Sequence, residues 1–461
     1  MSRLKKIHTV CALFLLSAIS SAAPVFPGAV GFGIDTQAGR GGRVIVVTNL
    51  NAKGPGSFSE AVRAEVPRIV VFEVGGVIDL ERRSVTINNP FLTVAGQTAP
   101  SPGITFIRGG IGIATHDVLI QHIRVRPGDA GQPKRSGWSP DGIATHAAYN
   151  VVIDHCSVSW AVDENLTASG PRYEGPDKTS HDITFSNCII AEGLNDSSHE
   201  KGPHSKGSLI HDNCTDIAVF GNLYAHNVSR NPFFKAFTTG VIVNNLIYNP
   251  GSRAVQLDWP TSEWKDRTIE PQNARVSIVG NVMIHGVDSR SYLALISKKG
   301  DAYIHDNLAF KRDGTPAELT AGRINLLNEK PSWPDGLEAM PASKVIEYVN
   351  TNAGARPKDR DEVDRRIIRE FQQRKGRIID SQDQVGGYPD HKQSLRKLNI
   401  PDNNIDQWLA EFTGEVEREG QKNVNTTFWY MNRLFLTSIR LENNMSCGIM
   451  EFAVRTEQHN L

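Results

Sequence analysis

The sequence predicts an all-β protein wound as a right-handed parallel β-helix, with a helix capping the N-terminal end and a helical extension at the C-terminal end. Three observations carry this. From Arg43 to about Phe310 the chain is a series of short Val/Ile/Phe-rich runs between polar, Gly-rich loops, with no sustained 3.6-residue period. The later runs repeat one pattern: a few β residues, a small or polar residue, Asn, then more apolar residues. Their spacings are irregular, from 23 to 36 residues, as in a solenoid whose coils share strands but differ in inserted loops. A propeller would need four strands in each repeat of about 40 residues, and these repeats hold too few.

Composition permits such a fold and excludes others. The chain has 461 residues, 39% of them hydrophobic, with 40 Gly and 24 Pro, which is enough apolar material for a core. Lys+Arg and Asp+Glu are equal at 50 each, so a nucleic-acid partner held by a bulk basic field is not expected. Five Cys are too few for a disulfide scaffold.

In chain order, residues 1–23 read as a signal peptide. Arg3, Lys5 and Lys6 precede an apolar run from Val10 to Ile19, and Ser20 to Ala23 supply small residues for cleavage. The run is shorter than the ~20 residues that span a bilayer. The mature protein is expected to be secreted, extracellular or periplasmic, with no membrane partner. Residues 24–312 form the β-helix. Near its start Ser57 is a candidate N-cap with Glu60 three residues on, which marks the capping helix.

The repeated Asn slot contains Asn187, Asn222, Asn245, Asn281 and Asn307, with His155 in the first copy. An amide donates and accepts, so equivalent Asn side chains can hydrogen-bond up a stack of coils. His155 therefore reads as a residue stacked at a bend. Cys156 and Cys188 follow His155 and Asn187 in successive coils. They read as buried thiols stacked like small hydrophobes, the alternative being a disulfide. Residues 313–420 form a mainly helical extension, with helices over 342–353, 360–375 and 402–420. Residues 421–461 are unassigned.

Three stretches bring ionisable groups onto neighbouring coils: Asp141 in SPDGIATH; Asp163-Glu164 in AVDENLT; and Lys206 in HSKGSLI with Arg230 and Lys235 in SRNPFFK. Carboxylates facing cations on the next coils suit an acidic polymer bridged by a hard ion such as Ca²⁺, which takes oxygen ligands.

These stretches resemble the pectate lyase superfamily, specifically polysaccharide lyase family 1. IDHCSVSW is similar to that family's WIDH strand, and HSKGSLI to its HDKxxLIG segment. RNPFFK followed by VIVNNLIYN is similar to its RxPxxR and NN signature. GRGGRVIVVTNLN, GPGSFSEAV, VAGQTAP and GRIIDSQDQVGGYP resemble a secreted bacterial branch, so the likeness covers about residues 28–390. The resemblance implies a monomeric enzyme cutting polygalacturonate, an acidic polysaccharide, by β-elimination. Arg230 would be the base, Lys206 and Lys235 would hold the substrate, and Asp141 and Asp163 would be Ca²⁺ ligands.

Two positions depart from the family pattern. Lys235 replaces an arginine, keeping the charge without the bidentate fork. Thr167 occupies a carboxylate slot of the metal site, and Glu164 is expected to point to the opposite face if the strand continues through it. The alternatives are a calcium-independent pectin lyase, a glycoside hydrolase working through paired carboxylates, and a polysaccharide-binding solenoid without turnover. The Gly-rich stretches near residues 31 and 41 lack the strand–turn–helix context of a dinucleotide site. The histidines show no zinc-motif spacing.

Overall fold

The computed structural model describes residues 23–417. Residues 1–22 of the expected signal peptide, and the tail 421–461, lie outside the described residues. Between them the β-rich runs wind into a parallel β-helix whose coils each contribute strands to three rows. In the first row Val118–Gln121, Tyr149–Asp154, His181–Ser186, Thr215–Phe220, Thr239–Val243 and Arg275–Val279 pair in parallel, one coil on the next. The second row includes Ile123–Arg126, Ser157–Ser159, Ile189–Ala191, Leu223–Ala225 and Leu246–Tyr248. The third includes Ile143–His146, Glu164–Ser169, Lys206–Ile210, Phe233–Phe234 and Val255–Leu257. This third row positions the candidate site.

Period-2 alternation sends every second residue of each strand inward. Ile153, Phe185, Val219, Ile242 and Ile278 are directly in register on successive coils and are fully buried. The result is one continuous apolar column, in which each coil buries the face of its neighbours.

The bend after each first-row strand uses a left-handed residue: His122, His155, Asn187 and Asn244 have φ of 58°, 47°, 53° and 53°. The Asn ladder lies one residue further on. Asn222 Nδ2 donates to Asn245 Oδ1 at 2.9 Å, Asn245 Nδ2 to Asn281 Oδ1 at 2.9 Å, and Asn281 Nδ2 to Asn307 Oδ1 at 3.0 Å. Asn187 is therefore not a rung. It shares the left-handed slot with His155, and Cys188, which follows it, is in line with Asn222. Cys156, Cys188 and Cys214 are buried free thiols. His155 stacks on His122, with ring centroids 5.3 Å apart. Asn245 is fully buried and its Nδ2 also donates to the Val219 carbonyl at 2.9 Å. Asn245→Ala orphans buried groups on both neighbouring coils, so a stability loss of about 3 kcal/mol is expected in urea unfolding.

Helix Phe58–Arg63 closes the N-terminal end, and Ser57 Oγ accepts from the Glu60 N–H at 3.3 Å. Phe58 enters the core against Phe106, centroids 4.6 Å apart. At the other end the sheet runs past residue 312, because Thr320–Leu326 pairs in parallel with the strand Ile296–His305. Helices Ala342–Asn352, Glu362–Gln372 and Ile405–Val416 make up the extension. It packs back on the coils through a buried ion knot. Arg126 donates to both oxygens of Asp361, at 2.5 and 3.0 Å, and to Asp364 at 2.9 Å, while Arg124 donates to Asp364 at 3.2 Å. No helix among the described residues is long and apolar enough to cross a membrane.

Candidate active site

Asp141 ends the loop that leads into strand Ile143–His146, and Asp163-Glu164 open the next strand of the third row. Asp141 Oδ1 accepts the Glu164 backbone N–H at 2.9 Å, which ties the two segments together. Gly142 permits this closeness, since a Cβ there would lie 2.4 Å from the Asn165 carbonyl oxygen. One carboxylate oxygen each from Asp141, Asp163 and Glu164 lies within 4.8 Å of the others. Glu164 thus joins the acidic group and does not point away from it. It is the first residue of its strand and follows a bend at Trp160, φ 64°, so strand alternation does not extend back through it.

Thr167 is three residues along the strand, roughly 10 Å away at ~3.3 Å per residue. Its Oγ1 is sealed from solvent without a hydrogen-bond partner. It is poorly placed to offer an oxygen to an ion in the groove.

The next coils supply the cations. Lys206 pairs in register with Glu164 and bridges to Ser229, and its Nζ donates to Ser229 Oγ at 3.2 Å. Arg230 follows directly. Its φ is 63°, its N–H donates to Gln256 Oε1 at 3.2 Å, and its guanidinium is ion-paired with Glu164. Gly207 lets the two coils approach, because a Cβ there would lie 2.4 Å from the Arg230 carbonyl oxygen. Arg230 and Lys206 are therefore brought onto the acidic group. Lys235 is not: its ammonium is held by Asp212, at 3.1 Å, and by Glu263, to which Arg172 also pairs at 2.6 Å. It is already paired with these two carboxylates.

Two histidines complete the group. His204 Nε2 lies 2.7 Å from Asp163 Oδ1, and His199 stacks on His204 with centroids 4.1 Å apart. The sequence signal for them is His204 two residues before Lys206, within the same segment that carries the lysine.

Burial and the neighbouring Asp163 push the Asp141 carboxyl up to about 8, with Arg230 pulling the other way. Burial would also raise Asp163, but the hydrogen bond and charge of His204 outweigh it and hold that carboxyl low. Burial lowers both Lys206 and Arg230 from their ordinary values. For Arg230 the nearby charges, Asp163, Asp141 and Glu263, all act in the opposite direction, so dehydration rather than a neighbouring cation is the cause. Three crowded carboxylates, one of them driven toward its neutral form, are a donor set that fits a hard divalent ion such as Ca²⁺.

Fold and site together define a parallel β-helix with acidic and basic groups interleaved on successive coils. No protein-family model matches the chain. Among curated proteins it is 33% identical to a probable pectate lyase C of Emericella nidulans, over 84% of this chain and 85% of that one. It is 34% identical to a probable pectate lyase C of Aspergillus terreus, over 80% and 82%. Among solved structures, the cedar-pollen allergen Jun a 1 matches with a TM-score of 0.50 at 16% identity, covering 71% of this chain and 92% of that one. A pectate lyase matches with a TM-score of 0.50 at 14% identity, covering 73% and 98%. The chain belongs to the pectate lyase family, polysaccharide lyase family 1, and is a polysaccharide lyase.

Proposed function

We propose that this lyase is secreted and cleaves polygalacturonate by calcium-assisted β-elimination, with Arg230 as the base. The observation that carries the reading is the guanidinium of Arg230 set against Glu164, with Asp141 and Asp163 close enough to act on its charge and Lys206 one coil below. Asp141, Asp163 and Glu164 would hold the ion. A bound Ca²⁺ would supply positive charge at the uronate carboxylate.

The chain's own residues do the rest. Lys206 pairs with the carboxylate of the sugar acid and stabilises negative charge as it develops there. Arg230, in its neutral form, takes the proton next to that carboxylate. The electron pair forms the new C=C bond and expels the glycosidic oxygen from the β carbon; that oxygen takes a proton from water and leaves as a hydroxyl, and the other product carries the unsaturated sugar. Guanidinium ordinarily stays protonated. Dehydration eases its deprotonation, so turnover is expected to rise toward alkaline pH.

The test compares polygalacturonate with methylated pectin, each with added calcium and with a chelator, by ultraviolet absorbance of unsaturated product. Turnover of polygalacturonate that requires calcium supports the reading. Chelator-resistant turnover confined to methylated pectin indicates a pectin lyase. New reducing ends without absorbance indicate hydrolysis.

A further inference from the structure

We propose that His122, His155 and Glu417 form a binding site for a divalent transition ion of the Zn²⁺ type, at a corner of the coil away from the groove. The two histidines are in register on adjacent coils and their rings stack at an interplanar angle of 19°. Both occupy the left-handed bend slot that later coils fill with Asn187, Gly221 and Asn244. That conformation is unfavourable for most side chains, and Asn or Gly satisfies it on those coils, so the backbone alone does not require imidazole twice.

Glu417 reaches the pair from the residue that ends helix Ile405–Val416. Its Oε1 lies 3.3 Å from His122 Nε2 and 3.5 Å from His155 Nδ1, and one ligand atom from each of the three residues lies within 4.8 Å of the others. His122 is fully buried and its Nε2 has no hydrogen-bond partner.

The tautomer sharpens the point. His122 Nδ1 is 2.7 Å from the Ala355 carbonyl oxygen, which can only accept, so Nδ1 carries the hydrogen. That leaves Nε2, buried and without a hydrogen-bond partner, as the nitrogen facing Glu417 Oε1 at 3.3 Å. An ion bound between them would engage both atoms. His155 Nδ1 also lies 2.7 Å from Asp154 Oδ2, so its hydrogen is held by carboxylates and Nε2 is the ring nitrogen left to take an ion, the arrangement in which an outer partner fixes a metal-binding imidazole. Two imidazoles and one carboxylate suit Zn²⁺ or Co²⁺ better than Ca²⁺.

The experiment titrates the full chain with Co²⁺ in excess Ca²⁺ and reads visible absorbance, then competes with Zn²⁺. One equivalent is expected to bind, with affinity falling at least about 10-fold in His122→Asn and in Glu417→Gln. Asparagine already serves this slot on later coils, and circular dichroism checks that each variant folds. Anomalous diffraction from Zn²⁺-soaked parent crystals locates the ion without any variant. No uptake would mean that the imidazoles hold Glu417 as an ion pair only, and would overturn the proposal. So would an ion at the Asp163–His199–His204 group, or uptake unchanged in both variants. None of these readouts uses polysaccharide turnover, so failure here is separate from failure of the lyase reading.

Discussion

Arg230→Ala is expected to lower kcat on polygalacturonate by about 10³-fold or more, with a much smaller change in KM. On the proposed reading the proton goes to Arg230, since among the described residues of the site Lys206 is engaged with Ser229 and His204 with Asp163. Loss of a positioned base typically costs 10²–10⁴-fold. Arg230→Lys separates the base from the charge. It keeps a cation beside Glu164 but loses the planar fork of the guanidinium. Arg230→Lys should therefore retain the parent's melting temperature while remaining deeply impaired. Steady-state rates by ultraviolet absorbance, with thermal melts on the same samples, check both. An alanine variant within about tenfold of the parent would remove Arg230 from the chemistry.

Arg126→Met is expected to destabilise the folded chain by about 3–5 kcal/mol, because it leaves Asp361 and Asp364 buried with Arg124 as their one remaining arginine and His391 3.6 Å from Asp361. Both arginines and both aspartates are within 1% of complete burial, so water cannot compensate. Asp361 also caps helix Glu362–Gln372, accepting the Asp364 N–H at 3.0 Å, so the helix start loosens with the knot. Burial would raise the Asp361 carboxyl, but Arg126 and Arg124 hold it well below its usual range. A carboxyl depressed on folding adds stability above its ordinary pKa and loses it as pH falls toward the folded value. The parent should therefore lose more stability than Arg126→Met between pH 7 and pH 3. Urea midpoints across that range measure the difference.

The solenoid was legible because its signals are local: β-branched runs, absent helical periodicity and repeated Asn. The ladder was read one position out at its first rungs because Asn187 shares a residue type with Asn222 but a backbone conformation with Asn244. Identity of side chain misled where left-handed φ set the register. Strand Thr320–Leu326 went unseen since it is largely exposed and rests on the core through Ile324, too little for a period-2 apolar signal. At the site, the order of Asp141, Asp163, Lys206 and Arg230 along the chain was enough to group them. Glu164 needed the bend before its strand. Lys235 needed Asp212 and Glu263, 23 and 28 positions away, which no spacing rule connects to it. His122 and Glu417 meet only through the return of the extension, nearly 300 residues later in the chain.

Because the groove's acids and bases sit on successive turns, their separation is a ruler graduated in strand spacings of about 4.8 Å. Duplicating or deleting one whole turn outside residues 141–230 should leave that ruler unread and the reaction intact. Duplicating one turn between Glu164 and Lys206 would carry the guanidinium one graduation from its carboxylate, with every individual residue still present. Within those turns, then, a change of length is a change of chemistry, even where no functional side chain is altered.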